Sequence, residues 1–485
     1  MKKLLMILSL LFFAGHISAQ QLMLSLDSCR ALAVRNNKEL RISSEKQRKA
    51  YYDRKAAFTN YLPRISAEGA YIHTGKELSL LSDEQKNLFG NLGSNAAQQI
   101  TSAAQQNPAL GQIVSQFGGQ LEQAAGALNS VGQSLVDAFR TDTRNLAVGA
   151  VMLTQPIYMG GKIVAYNKIT KYAEEIARNQ HDLALQDVIV EVDQAYWQIV
   201  SLQSKKKLAE SYLELVKKLD SDVQKMIDEG VATKADGLSV KVKVNEAEVT
   251  MIQVNNGLFL SKMLLCQICG LDLNSNIALV DEDADSFNLP AAQADSVDVN
   301  IAFNNRPELK SLDLLTKISD EKAKVARAEF LPTVALTGGY LATSPSVFNS
   351  FEKKFKGTWS VGVLVKIPLL TFGERNYKYK SAKADAIVAQ LQMEEVREKV
   401  ELQVNQCSQK LREANERLSV ASRSKEQADE NLRYAILGMK EGVIPVSNVL
   451  SAQTAWLSAH STCVSAQIDV MLADVYLHKS LGTLK

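Results

Sequence analysis

Cys266 and Cys269, spaced Cys-x-x-Cys, come nearest among the residues of this chain to a reactive motif. Such a pair serves thiol–disulfide exchange or supplies half of a zinc site. Its surroundings favour neither: the neighbours are Met263, Leu264, Leu265 and Ile268, with no second pair or nearby histidine. The pair reads as buried free thiols or an incidental disulfide. The histidines at 16, 73, 181, 460 and 478 are scattered, and no phosphate-cradling loop or zinc-protease motif occurs. The expectation is therefore no catalytic residue, no cofactor and no metal.

Hydrophobic residues make up 46% of the 485, enough for a sizeable core, while 9 prolines and 6% aromatics favour long uninterrupted helices. Residues 1–19 read as a secretory signal: Lys2 and Lys3, an apolar stretch from Leu4 to Ala14, then Ser18-Ala19. Cys29, after Leu26-Asp27-Ser28, is only faintly like a lipoprotein box and is read as a helix residue. Without Lys2 and Lys3 the 55 cations fall to 53, against 53 anions. No basic surplus remains for phosphates, so nucleic acid is not an expected partner. Beyond residue 20 no apolar run reaches the length of a membrane-spanning helix.

The chain is written twice. Residues 33–71 align without a gap on 302–340, with ten of 39 positions identical, including Asn36/Asn305, Leu62-Pro63/Leu331-Pro332 and Tyr71/Tyr340. Residues 151–270 align on 363–482, pairing Pro156 with Pro368, Glu229-Gly230-Val231 with Glu441-Gly442-Val443, and Gly270 with Gly482. The two offsets, 269 and 212, differ by 57, so the first copy holds an insertion of that size within 72–145. The domains are then a first repeat over 20–270, an acidic linker over 271–299 around Asp281-Glu282-Asp283, and a second repeat over 300–485.

Each copy opens with a helical stretch (27–61; 300–330) that ends at its Leu-Pro pair, since the residue before proline leaves the helical region. Two alternating segments follow, 64–73 and 146–155 in one copy, 333–342 and 358–367 in the other. In the last, Trp359, Val361, Val363, Val365 and Ile367 share one face, opposite Ser360, Gly362, Leu364 and Lys366. Ten residues at period two suit a transmembrane strand, although the same pattern fits an amphipathic strand of a soluble sheet. Four such segments in two repeated pairs, behind a signal, favour the membrane. Trp359 then reads as an interface anchor or a plain packing residue; Trp197 and Trp456 read as helix packing.

Helical hairpins over 162–270 and 374–482 complete the copies, turning at Gly230 and Gly442. Apolar positions such as Val188, Val192, Ala195, Ile199, Leu208, Leu215, Leu219 and Val223 recur at coiled-coil-like spacing. In the insertion, Ile113, Phe117, Leu121, Ala125, Leu128, Val131 and Leu135 predict a helix. Four strands do not close a barrel. Two chains would supply the smallest closed number with little bore, whereas three supply 12 strands and a lumen. Strand arithmetic favours a trimeric pore continuing into a tube of paired helices.

These pieces resemble the TolC-like outer-membrane efflux proteins over essentially the whole mature chain. The resemblance rests on Ala31…Asn36-Asn37…Leu40 and its twin Asn305-Arg306-Pro307-Glu308-Leu309, and on Gln155-Pro156-Ile157-Tyr158-Met159-Gly160-Gly161. Ile367-Pro368-Leu369…Phe372-Gly373, the two Gly-Val turns and Leu481-Gly482-Thr483-Leu484 complete it. It implies a mostly α fold with a membrane β-barrel. Four transmembrane strands per chain would close in a homotrimer as a 12-stranded barrel on a periplasmic α-helical barrel. It implies a passive outer-membrane channel, in contact with outer-membrane lipid, serving a periplasmic adaptor protein and an inner-membrane efflux pump or ABC transporter. The insertion would be extracellular.

The resemblance places Gly230, Val231, Thr233, Gly442 and Val443 at periplasmic tips that dock the adaptor, and makes Asp236, Asn448 and Ser451 gate candidates. Family members carry acids where this chain has Asn448 and Ser451, so an anionic constriction would rest on Asp236. A solvated helix start is the alternative for all three. The rival functions are a structural or adhesive surface coiled coil, which has no use for four strands, and a periplasmic hydrolase, for which the nucleophile constellation is missing.

Overall fold

The computed structural model describes residues 22–75, 81–106, 108–139, 144–283, 289–290, 297–346 and 354–484. The expected signal over 1–19 lies outside them. In chain order the elements are β1 Leu22–Leu24, α1 Leu26–Asn36, α2 Lys38–Phe58, β2 Arg64–His73, α3 Asp83–Gly90, α4 Leu92–Gln106, α5 Pro108–Ala138 and β3 Asn145–Met159. There follow α6 Lys162–Asp228, α7 Lys234–Cys269, β4 Ile277–Leu279, α8 Val299–Asn305, α9 Pro307–Ala328, β5 Thr333–Ser344, β6 Lys356–Lys366, α10 Glu374–Lys440 and α11 Val446–Leu481. They divide into a helical unit (up to Ala57, Val164–Ala326, Asn376 onward) and a strand unit (Phe58–Ile163, Arg327–Arg375).

In the strand unit β2, β3, β5 and β6 form one antiparallel sheet in that order. The strands run somewhat beyond the expected bounds at 145–159, 333–344 and 356, while Ile367 falls just outside β6. The central β3–β5 pair joins the two sequence copies. Pro156 is tolerated in this central strand because it sits at a bulge and past Arg64↔Thr154, where β2 stops pairing. Register aligns Ala67, Val151, Tyr340 and Trp359 across all four strands, with Ile65, Leu153, Gly338 and Val361 beside them. That face is apolar and exposed. The other carries Ser66, Glu68, Thr154, Thr337 and Ser360. The insertion folds as α3–α5, helical as its spacing predicts. Asn129 Oδ1 on α5 accepts from the Gly93 and Ser94 amides (2.8 and 3.1 Å), capping α4.

In the helical unit α6 and α10 are each 67 residues long, on the order of 100 Å at helical rise. The buried stripe of α6 follows Val188, Val192, Ala195 and Ile199, but midway it passes to Ala209, Tyr212 and Val216, leaving Leu208 and Leu215 half-buried. An α-helix drifts relative to a strict heptad, and the stripe drifts with it. No described helix is long and apolar enough to cross a membrane.

Two expectations are corrected. The opening helical stretch is broken in each copy, at Asn37 (ψ 131°) and at Arg306 (ψ 124°). In the second copy Pro307 forces Arg306 out of the helix. In the first the side chains of Asn36 and Asn37 donate instead to the Cys269 and Ile268 carbonyls (3.3 and 3.2 Å), satisfying the end of α7. The glycine after each return helix completes the motif. Gly270 and Gly482 are left-handed (φ 67° and 69°), and a Cβ there would lie 2.6 Å from Asn36 Cβ and 2.9 Å from Arg306 N. Repeated sequence letters thus become the same contact made twice.

The acidic segment 271–299 is also more than a linker. Its apolar trio Ile277-Ala278-Leu279 is buried and pairs in parallel with β1. Asp281 accepts from the buried Tyr196 hydroxyl (2.5 Å), and Glu282 meets Lys262 (2.9 Å). Nearby, Arg30 grips the fully buried Asp193 carboxylate through Nε and Nη2 (2.7 and 2.6 Å). Burial pushes the Asp193 carboxyl up and the guanidinium pulls against it. Breaking such a pair by removing one partner costs about 3–5 kcal/mol.

Candidate functional site

The two hairpin turns are built alike. At the first, the Val231 amide donates to Met226 O (2.8 Å) and the Gly230 amide to Ile227 O (3.0 Å); at the second, Val443 donates to Gly438 O (2.8 Å) and Gly442 to Met439 O (3.0 Å). This pattern ends a helix with a left-handed residue, and Gly230 (φ 77°) and Gly442 (φ 67°) supply it without steric cost. A Cβ at either glycine would meet nothing within 4 Å. Val231 and Val443, 67% and 79% exposed, stand bare at the turns.

Beyond the first turn Thr233 caps α7. Its Oγ1 accepts from the Asp236 amide (3.2 Å), while Asp236 Oδ2 accepts from the Thr233 amide (3.0 Å) and hydroxyl (2.6 Å). These Thr233 bonds hold the Asp236 carboxyl below the usual carboxylate range. On the second tip Pro445 precedes α11 with no side-chain cap. Asn448 and Ser451 are both exposed on that helix, and the Ser451 hydroxyl is turned back onto Ser447 O (2.9 Å).

The structure brings both tips together. Leu219, Val223 and Val240 of the first hairpin share one buried cluster with Leu432, Met439, Val446 and Val449 of the second. Two glycines that sequence reasoning passed over make the turns close. A Cβ on Gly237 would lie 2.8 Å from Ile227 Cδ1, and one on Gly438 would lie 2.5 Å from Ile444 Cδ1. Their signal was present: each lies within seven residues of a turn glycine, inside a helix where glycine is otherwise costly.

The other singled-out residues lie elsewhere. Cys266 and Cys269 are free, buried thiols at the end of α7, beside buried Cys29; burial pushes the Cys266 thiol up, which keeps it protonated. Among the described residues no group of His, Cys, Asp and Glu could hold a metal ion. Trp197 packs edge-on against Tyr196, and Trp456 donates to Asp429 Oδ1 (2.6 Å). Trp359 stands 75% exposed on the apolar sheet face.

The chain combines a four-stranded open sheet with two very long helical hairpins, and comparison with known proteins finds the same combination in outer-membrane channels. Residues 299–483 match the family described as Outer membrane efflux protein. The match falls on the second copy, and the resemblance to TolC-like proteins is borne out. Pseudomonas putida's probable efflux pump outer membrane protein TtgC is 23% identical over 320 residues, 64% of this chain and 63% of that one. The chain thus spans a little under two thirds of that relative. Outer membrane protein TolC of Vibrio cholerae is 22% identical over 356 residues, 70% of this chain and 77% of that one. In structure the fold is shared with the outer membrane protein VceC of Vibrio cholerae (TM-score 0.70, 15% identity, covering 94% of this chain and 96% of that one).

Proposed function

We propose that this protein is the passive outer-membrane exit duct of a tripartite efflux or secretion system in a Gram-negative bacterium. Three copies close a 12-stranded barrel, with the helical hairpins forming a tube in the periplasm. The tips at Gly230 and Gly442 dock a periplasmic adaptor, and an inner-membrane pump or ABC transporter supplies the energy. The chain itself carries out no catalysis.

One observation carries this reading. Among the described residues the sheet ends in two edge strands, β2 and β6, whose outer sides have no partner in the sheet. All ten residues of β2 and ten of the eleven of β6 are exposed. An open edge this long, with an apolar face, is untenable in water. Closure with further copies removes the edges, and lipid covers the apolar face. The bare valines at the tips support docking there.

The experiment is mass measurement in detergent, coupled to membrane fractionation and single-channel conductance. A trimer that fractionates with the outer membrane and conducts is the expected result. A monodisperse monomer that still conducts would overturn the closure argument.

A further inference from the structure

At one end of the sheet, register brings Met159, Thr333 and Lys366 side by side across β3, β5 and β6. A cavity of about 370 Å³ opens there, lined by Lys162, Lys366, Arg375, Glu329, Thr333 and Pro368 among others. Three cations thus meet one carboxylate. Among the described residues Lys162, Lys366 and Arg375 form no ion pair, and the Arg375 residue is half-buried rather than splayed into solvent. Lys162 opens α6 and Arg375 lies in the first turn of α10, so the unsatisfied amides of two long helices add positive potential at this end.

Beside the cavity the chain is strongly apolar and bare. Leu369 is 89% exposed, Leu370 72% and Phe372 92%. Phe372 moreover holds a left-handed backbone (φ 47°), which a bulky residue adopts only at a cost. A strained backbone that displays an aromatic ring to water is unfavourable unless something apolar receives the ring. Cations grouped next to exposed apolar side chains match a phospholipid at the boundary between headgroup and acyl chain.

We propose that this end of the sheet is an anionic-phospholipid site of the inner leaflet. Lys162, Lys366 and Arg375 hold the headgroup phosphate, with the Arg375 guanidinium suited to two phosphate oxygens. Leu369, Leu370 and Phe372 lie along the acyl chains. Glu329 at the same cavity disfavours over-neutral occupancy and leaves a net charge of two positive for one phosphate. The site rests on the outer-membrane reading, since it assigns this end of the strands to the periplasmic side.

The test uses the purified full chain in nanodiscs of phosphatidylcholine containing a minority of phosphatidylglycerol, with retained lipid counted by mass spectrometry after extraction. Wild type is expected to enrich phosphatidylglycerol, and each of Lys162→Gln, Lys366→Gln and Arg375→Gln to weaken that enrichment by about fivefold. Lys410→Gln with Lys425→Gln, on the helix surface, serves as the control and keeps it. Equal retention of both lipids by wild type, or enrichment unchanged in the triple variant, overturns the proposal. Displacement of phosphatidylglycerol by millimolar inorganic phosphate would also overturn it, assigning the cations to free anion. Fractionation keeps the two readings apart: a protein recovered outside the membrane sinks the channel itself, whereas an outer-membrane protein without lipid preference sinks this site alone.

Discussion

Asp236 serves the fold and, in the proposed channel, the ion path together. Its carboxylate closes the cap on α7, and the Thr233 bonds that do so also keep it ionised. With a lowered folded pKa, the cap's contribution is complete above the ordinary aspartate range and fades only as pH falls through the lower folded value. Three-fold symmetry would make a ring of three such charges. Reversal potentials across a salt gradient should therefore show modest cation selectivity, unchanged between pH 7 and about pH 5. Asp236→Asn should lower it. Because Asn448 and Ser451 are exposed and neutral, Asn448→Asp with Ser451→Asp should raise it, and should strengthen block by multivalent cations. An unchanged potential in the double variant would remove these two positions from the gate.

At the scale of elements, the hairpin turns separate backbone strain from bulk. Any side chain at Gly230 or Gly442 must accept positive φ, which costs about 1–2 kcal/mol. The space around both is open, so the cost is nearly the same for a small and a large residue. Gly230→Ala and Gly442→Ala should then fold and transport nearly as wild type. Gly230→Trp and Gly442→Trp should keep the oligomer yet lose export, because the indole would occupy the surface proposed to meet the adaptor. Export assays beside detergent mass measurements check this. Full transport by both tryptophan variants would show that docking happens elsewhere. The Gly270–Asn36 and Gly482–Arg306 contacts are the opposite case, close approaches where even a Cβ has no room.

For the whole molecule, the two sheet faces should answer differently to the same charge. Val361 and Ser360 are neighbours on β6, opposite Gly338 and Gly339 near mid-strand. Val361→Lys puts an ammonium on the apolar face and should cost about 2–4 kcal/mol of stability in the bilayer. Ser360→Lys faces the other way and should leave stability nearly intact while changing conductance. Denaturant unfolding in lipid, read beside single-channel current, distinguishes them. Equal destabilisation by both would mean that neither face is a lumen.

Much of this was written in the order of residues. Period-two alternation, Leu-Pro breaks and gap-free repeats fix the four strands and two hairpins to within a few positions, because those features are local and each copy repeats them. The long proline-free stretches likewise determine two 67-residue helices. Contacts between distant segments were decided only by the tertiary structure. The β3–β5 pairing joins the copies; a three-residue strand over Ile277–Leu279 gains its ladder from β1; Arg30 finds Asp193 163 positions away. Single residues also changed meaning in three dimensions: Asn36 was a repeated letter until its amide reached the Cys269 carbonyl. Local pattern sets what an element can be, but a partner far along the chain exerts its effect only once packing has removed water between them.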